Sequence, residues 1–291
     1  TLIQGKSGLP IFVGAMAFAV KTVIDKQASA GGPLPGDVFL FNDAWDGGTH
    51  LSDFKLVKPI FRSGALYCYL ASVAHWHDVG GNVPGNYNPA ATEAFQEGMV
   101  IPPVRLFAQG ELRQDIVDIV SANSRLPGSL YGDLNAQINA LDLGESRLNA
   151  LLDEYGDERV RNAMKELRMR AAKVMRANIQ EVPDGIWSAF DWLDNDGIVD
   201  APLRIGLDII IKGDQLTLDF SQTASACAGP VNISKSTAIA ACYVALKHVF
   251  TDVPANAGVL DPVDFVIPSG SLLDAKAPRP VGGYTETILR L

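Results

Sequence analysis

Between residues 11 and 28 the apolar side chains Phe12, Ala15, Met16, Ala19, Val20 and Val23 recur at the three- and four-residue spacing of one helix face. Ala30-Gly31-Gly32-Pro33 stops that pattern. Pro35-Gly36-Asp37 then turns the chain into the apolar run Val38-Phe39-Leu40-Phe41, which predicts a short strand delivering Asn42 and Asp43. Residues 54–61 read as a second strand interrupted near Pro59, Arg62-Ser63-Gly64 as a hairpin turn, and 65–74 as a third strand ending at His75. Two histidine-bearing loops therefore fall near one end of an antiparallel sheet.

From 80 to 103 the chain is rich in Gly, Pro and Asn, the composition of an ordered loop that wraps a site. A short strand and turn at 106–110 precede a helix at 115–122, with Ile116, Ile119 and Val120 on one face. A long helical region begins at Gly132-Asp133-Leu134, after a break at Asn123-Ser124-Arg125-Leu126-Pro127. The next helix, 157–178, places Val160, Met164, Leu167, Ala171 and Val174 on one side and is otherwise basic, so it reads as a solvated or partner-facing helix. Alternation at Leu203, Ile205, Leu207, Ile209 and Ile211, a turn at Lys212-Gly213-Asp214-Gln215, and alternation back through Leu216, Leu218 and Phe220 predict a β-hairpin with one buried face. Asp194-Asn195-Asp196-Gly197 looks like part of a calcium loop, but aligning its glycine puts Trp192 and Leu203 at ligand positions, so a turn is the better reading. A helix at 236–250 carries His248 late enough to meet its last carbonyls.

This pattern predicts an α+β fold, with mixed, largely antiparallel sheets and packed helices. It divides into residues 1–182, which carry the histidine loops and long helices, and residues 183–291, a hairpin-plus-helix part of the same region.

Composition narrows the function classes. The 291 residues are 47% hydrophobic and 20% charged, as in an ordinary soluble domain. The net charge of −9, with acidic residues spread along the chain rather than in blocks, argues against a nucleic-acid footprint and against an anionic membrane surface. The three cysteines (Cys68, Cys227 and Cys242) are widely spaced in apolar stretches and read as buried thiols. No signal sequence or spanning segment is evident, and a cytoplasmic location is expected. The chain opens at Thr1 and stops at Leu289-Arg290-Leu291 as though within an element, which reads as a piece of something longer.

The chemistry-bearing residues concentrate in the two loops. His50 and Asp53 can reach one point from a single turn, and His75 comes from the neighbouring loop. Two imidazoles and a carboxylate with room for water suit a divalent ion (Zn, Mn or Fe) acting as a Lewis acid. His77 and Asp78 are the candidate catalytic residues, as orienters of the ligands, substitute ligands or substrate contacts. Strand alternation would send His75 and His77 to the same face, which leaves the choice between them open. The same residues also suit two polar surface loops in which Gly47-Gly48 and Gly80-Gly81 only make turns. The sequence has no Gly-x-Ser-x-Gly, Walker A or Gly-x-Gly-x-x-Gly motif.

Taken in order, Pro35-Gly36-Asp37-Val38-Phe39, Asn42-Asp43, Gly47-Gly48-Thr49-His50-Leu51-Ser52-Asp53, Ala74-His75 with Asp78-Val79-Gly80-Gly81, and Pro84-Gly85 resemble the hydantoinase B/oxoprolinase family. So do Glu97-Gly98, Ile101-Pro102-Pro103, Asn123-Ser124-Arg125, Gly132-Asp133-Leu134 with Ala136-Gln137, Asp219-Phe220-Ser221, Gly229-Pro230-Val231-Asn232 and Pro268-Ser269-Gly270-Ser271. The resemblance covers nearly the whole chain and implies the central section of a longer B-type subunit. It implies an enzyme in two parts, in which an A-type, actin-like ATPase subunit binds ATP and Mg and phosphorylates the substrate. The B-type part then completes the hydrolysis or carboxylation; in the carboxylases it holds a metal site, and the matching positions here are His50, Asp53 and His75.

The expected activity is opening of a small cyclic amide (a hydantoin, lactam or 5-oxoproline) within a hetero-oligomer. The alternatives are an acetone- or acetophenone-type carboxylase subunit and a non-catalytic structural subunit. Ala74-His75-Trp76-His77-Asp78 departs from the Ala-His-His-Ala-Asp of the hydantoinases, which leaves hydrolysis and carboxylation both open.

Overall fold

The computed structural model describes residues 10–291, so the opening residues, on which the absence of a signal sequence was read, lie outside the described part. Helix α1 (Pro10–Ala28) leads to β1 (Val38–Phe41), β2 (Asp53–Arg62) and β3 (Ala65–His75). A long irregular segment, broken by one 3-10 turn at Ala94–Gln96, reaches β4 (Val104–Ala108) and β5 (Glu111–Leu112). Three helices follow: α2 (Gln114–Ala122), α3 (Pro127–Tyr155) and α4 (Asp157–Gln180). The remainder comprises β6 (Gly185–Leu193), β7 (Leu203–Lys212), β8 (Gln215–Asp219), α5 (Lys235–Val249), β9 (Val263–Val266) and α6 (Tyr284–Ile288).

The first sheet has the order β3-β2-β1-β4-β5 and is antiparallel throughout. Because side chains alternate along a strand, β1 feeds two cores. Val38 and Leu40 join Leu56, Phe54 and Trp76 beneath α2 and α3, while Phe39 and Phe41 pack with Val57 against Met16, Ala19 and Val23 of α1. The second sheet, β6-β7-β8-β9, is antiparallel except for the parallel pair β8–β9, and it shares a third core with α4 and α5. The fold is thus α+β with largely antiparallel sheets, as the pattern predicted.

Four sequence expectations need correction. β2 runs unbroken through Pro59, which sits opposite Tyr69. Trp76 N–H bonds Ser52 O, so the even positions of β2 bond to β3 and the missing N–H of Pro59 faces the other side, beyond the end of β1. The long helix begins at Pro127 rather than Gly132, with proline in its first turn, where no N–H is needed. Ile119 and Leu167 are exposed, and Val117 in α2 and Met175 and Ile179 in α4 are buried instead, alongside the expected Val160 and Ala171. Strand β6 was not anticipated: it is the edge of the second sheet, exposed on both faces, so its aromatic residues show no in–out alternation. Among the described residues no helix is long and apolar enough to cross a membrane.

Candidate metal centre

The register of β2 and β3 pairs Asp53 directly with His75, which places a carboxylate and an imidazole side by side where the hairpin meets the loops. His50 arrives from the preceding turn, closed by Asp53 N–H bonding to His50 O at 3.2 Å. Three anchors hold that turn in place. Asn42, fully buried, donates to Leu51 O (2.7 Å) and Met99 O (2.8 Å) and accepts from Ile101 N–H (2.7 Å), stapling the turn to the long loop. Gly48 O accepts from Ser234 Oγ and Thr237 Oγ1 at the N-terminus of α5. Gly47 adopts φ 87°, and a Cβ there would lie 2.4 Å from the Ala19 amide nitrogen of α1, so only glycine fits.

Both imidazoles turn Nδ1 towards Asp53. His50 Nδ1 lies 2.7 Å from Oδ2 and His75 Nδ1 lies 3.3 Å from Oδ1. Thr49 Oγ1 donates to Oδ2 as well. One ligand atom from each of His50, Asp53 and His75 falls within 4.8 Å of the other two. The His50 ring stacks between neighbours, 4.9 Å from His75 and 4.6 Å from Tyr284 between ring centroids. Asp53 is 1% exposed, whereas the His75 side chain remains 50% exposed, so the cluster is closed beneath and open on the His75 side.

Burial alone would raise the Asp53 carboxyl, but the His50 charge and the hydrogen bonds from both imidazoles hold it below the usual range. The hydrogen bond to Asp53 raises His75, against the opposing effect of its burial. A divalent ion needs nitrogen and oxygen donors that converge beside an open side for water or substrate, and this arrangement brings together two imidazoles and a carboxylate. The donor set therefore fits the expected metal.

The other two expected site residues lie elsewhere. β3 ends at His75, so strand alternation does not extend to His77, which is exposed and makes no hydrogen bond or ion pair among the described residues. Trp76 is buried between them, stacked on Phe54 at 3.8 Å, with its Nε1 donating to Gln137 of α3. Asp78 is buried and accepts from the backbone N–H groups of Gly80, Gly85 and Arg125 and from the Arg125 guanidinium (3.0 Å). These bonds hold its carboxyl low against burial and commit it to the loop.

Sequence reasoning missed several neighbours. Tyr284 comes from the far end of the chain, and no spacing signal connects it to His50. Glu97, 2% exposed, accepts from the N–H groups of Val281 (2.9 Å) and Gly282 (2.7 Å) and so positions the turn that carries Tyr284; burial pushes its carboxyl up to about 7. Lys55 is buried beneath the cluster, bonded to Asp43 O at 3.2 Å, and burial brings its ammonium down to about 8. The buried thiols Cys227 and Cys242 are pushed up to about 12, which suits core packing rather than nucleophilic use.

The sequence profile of hydantoinase B/oxoprolinase matches residues 1–291. The chain belongs to that family. It is 35% identical to the caprolactamase subunit beta of Pseudomonas jessenii over 98% of this chain and 49% of that one. The crystal structure of the ATP-dependent caprolactamase from Pseudomonas jessenii superimposes with a TM-score of 0.87 at 33% identity, covering 96% of this chain and 48% of the other. A nucleotide-free acetone carboxylase structure shares the fold with a TM-score of 0.87 at 19% identity, over 96% of this chain and 39% of that one. The chain spans about half the length of the caprolactamase subunit that it matches.

Proposed function

We propose that this chain is the metal-bearing section of a cytoplasmic B-type subunit that opens a cyclic amide of the hydantoin, lactam or 5-oxoproline class. An A-type ATPase partner would bind ATP and Mg and activate the substrate. One observation carries this reading: ligand atoms of His50, Asp53 and His75 converge within 4.8 Å of one another at a site buried at Asp53 and open at His75. The kinship with an ATP-dependent caprolactamase supports the choice of a cyclic amide.

A divalent ion bound there would polarise the activated carbonyl or lower the pKa of an attacking water. The protein's own part is positioning. Asp53 supplies the buried negative charge, His50 is held by stacking on Tyr284, and His75 borders the open side where substrate enters. Exposed His77 lies next to that opening in the chain and is assigned a substrate contact, while Asp78 organises the loop behind it.

The test is ATP turnover by the full-length subunit with its A-type partner, against caprolactam, hydantoin and 5-oxoproline, with and without chelator. ATP-dependent ring opening that chelator abolishes and metal restores is expected. ATP turnover that needs bicarbonate and a ketone, and ignores every cyclic amide, would overturn the assignment in favour of a carboxylase.

A further inference from the structure

A histidine that binds a metal through one ring nitrogen generally donates the N–H of the other to a carboxylate or carbonyl, which fixes its tautomer and orientation. His50 is steadied by stacking on two sides. His75 is half exposed and turns Nδ1 to Asp53, which leaves Nε2 as the nitrogen needing an acceptor. The charge of Asp133 of α3 favours the protonated form of His75, as that of Asp53 does. Its Oδ2 is buried with no hydrogen-bond partner. A buried carboxylate oxygen without a donor is costly and calls for an explanation.

The placement of α3 supplies one. Gln137 bridges the end of the hairpin, accepting from Trp76 Nε1 (3.0 Å) and donating to Phe54 O (3.0 Å), and these two residues directly follow His75 and Asp53. Asp133 sits four residues earlier on the same helix face, and helical side chains lean towards the N-terminus. Farther along α3, Glu145 meets Lys58 and Asp153 meets Arg62, so the helix runs in the direction of β2 and Asp133 falls on the His75 side of the Gln137 anchor.

We infer that Asp133 is a positioning residue for the metal centre: its free oxygen accepts the Nε2–H of His75 when Nδ1 takes the ion. The inference rests on the metal reading given above. It also gives α3 a role beyond packing, because the helix whose Gln137 braces the hairpin also orients the exposed ligand.

The test is calorimetric titration of the metal-free, full-length subunit with Zn²⁺ alone, comparing the unsubstituted protein with Asp133→Ala and Asp133→Asn. Thermal melts of the metal-free proteins control for folding. Asp133→Ala is expected to weaken Zn²⁺ binding about 10- to 100-fold. Asp133→Asn, which keeps an acceptor oxygen, should fall between it and the unsubstituted protein. Nitrogen-detected histidine spectra of the Zn²⁺-loaded protein should show His75 protonated at Nε2, a signature that a purely structural role for Asp133 would not move in the variants. Zn²⁺ affinity and tautomer both unchanged in Asp133→Ala would overturn this inference alone. No Zn²⁺ uptake by the unsubstituted protein would overturn the metal reading, and this inference with it.

Discussion

Residues 47–53 and 75–85 contain the same ingredients, an imidazole, a carboxylate and paired glycines, yet their buried aspartates face different partners. Asp53 accepts from two imidazoles and a threonine hydroxyl; Asp78 accepts from three backbone N–H groups and a guanidinium. Both carboxyls sit low despite burial, for different reasons. An imidazole can give up its proton and turn a lone pair to a cation, whereas a backbone amide or guanidinium cannot at any ordinary pH. Shared composition and a shared pKa direction therefore do not identify a ligand. The protonation chemistry of the carboxylate's partners does.

Substituting the two aspartates should separate these roles most widely. Asp53→Ala is expected to lower divalent-metal affinity at least about a hundredfold, through loss of a charged ligand. Asp78→Ala should leave that affinity within a few-fold and instead cost about 2–4 kcal/mol of stability, through the hydrogen bonds lost to the backbone N–H groups of Gly80, Gly85 and Arg125. Metal titration and urea unfolding of both variants check this. Equal metal loss in the two would collapse the distinction.

A third buried carboxylate, Glu97, sharpens the contrast because its partners are too few to keep it charged. Its folded value of about 7 lies above its ordinary 4.5, so the folded chain holds the proton more tightly than the unfolded one. That stability is fully present below about 4.5 and is lost as pH rises through about 7, with an upper bound of about 3 kcal/mol. Unfolding midpoints at about pH 5 and about pH 8 should therefore diverge in the unsubstituted protein and converge in Glu97→Gln.

Glycines in the two loops should differ as well. Gly47→Ala meets both a positive φ and the backbone of α1, for an expected loss of about 2–3 kcal/mol. Gly85→Ala has φ 76° but open space around it, and about 1 kcal/mol is expected. The smallest effect belongs to His77→Ala, which should raise KM a few-fold at unchanged metal content and stability.

What could be read from the sequence follows the same physical line. The first sheet was legible because Val38-Phe39-Leu40-Phe41 and the hairpin of β2 and β3 are punctuated by turn residues, and Ser63 and Gly64 take the positive φ the turn requires. The trio His50, Asp53 and His75 was legible because one turn and one strand pairing bring it together. Three things were not. Strand β6 leaves Ile186, Trp187, Phe190 and Trp192 exposed, so burial imposed no period on it. Pro59 looked like a break because a single chain does not reveal where its neighbour strand stops. Tyr284 and Glu97 join the site through tertiary contacts between distant segments, for which local spacing carries no trace.

The central claim is that His50, Asp53 and His75 together bind a divalent ion. Elemental analysis of the full-length subunit, purified without chelator, alongside His50→Ala tests it most directly. The account predicts a single equivalent of Zn, Mn or Fe in the unsubstituted protein and essentially none in the variant. A metal-free active complex, or equal metal content in the two proteins, would contradict it.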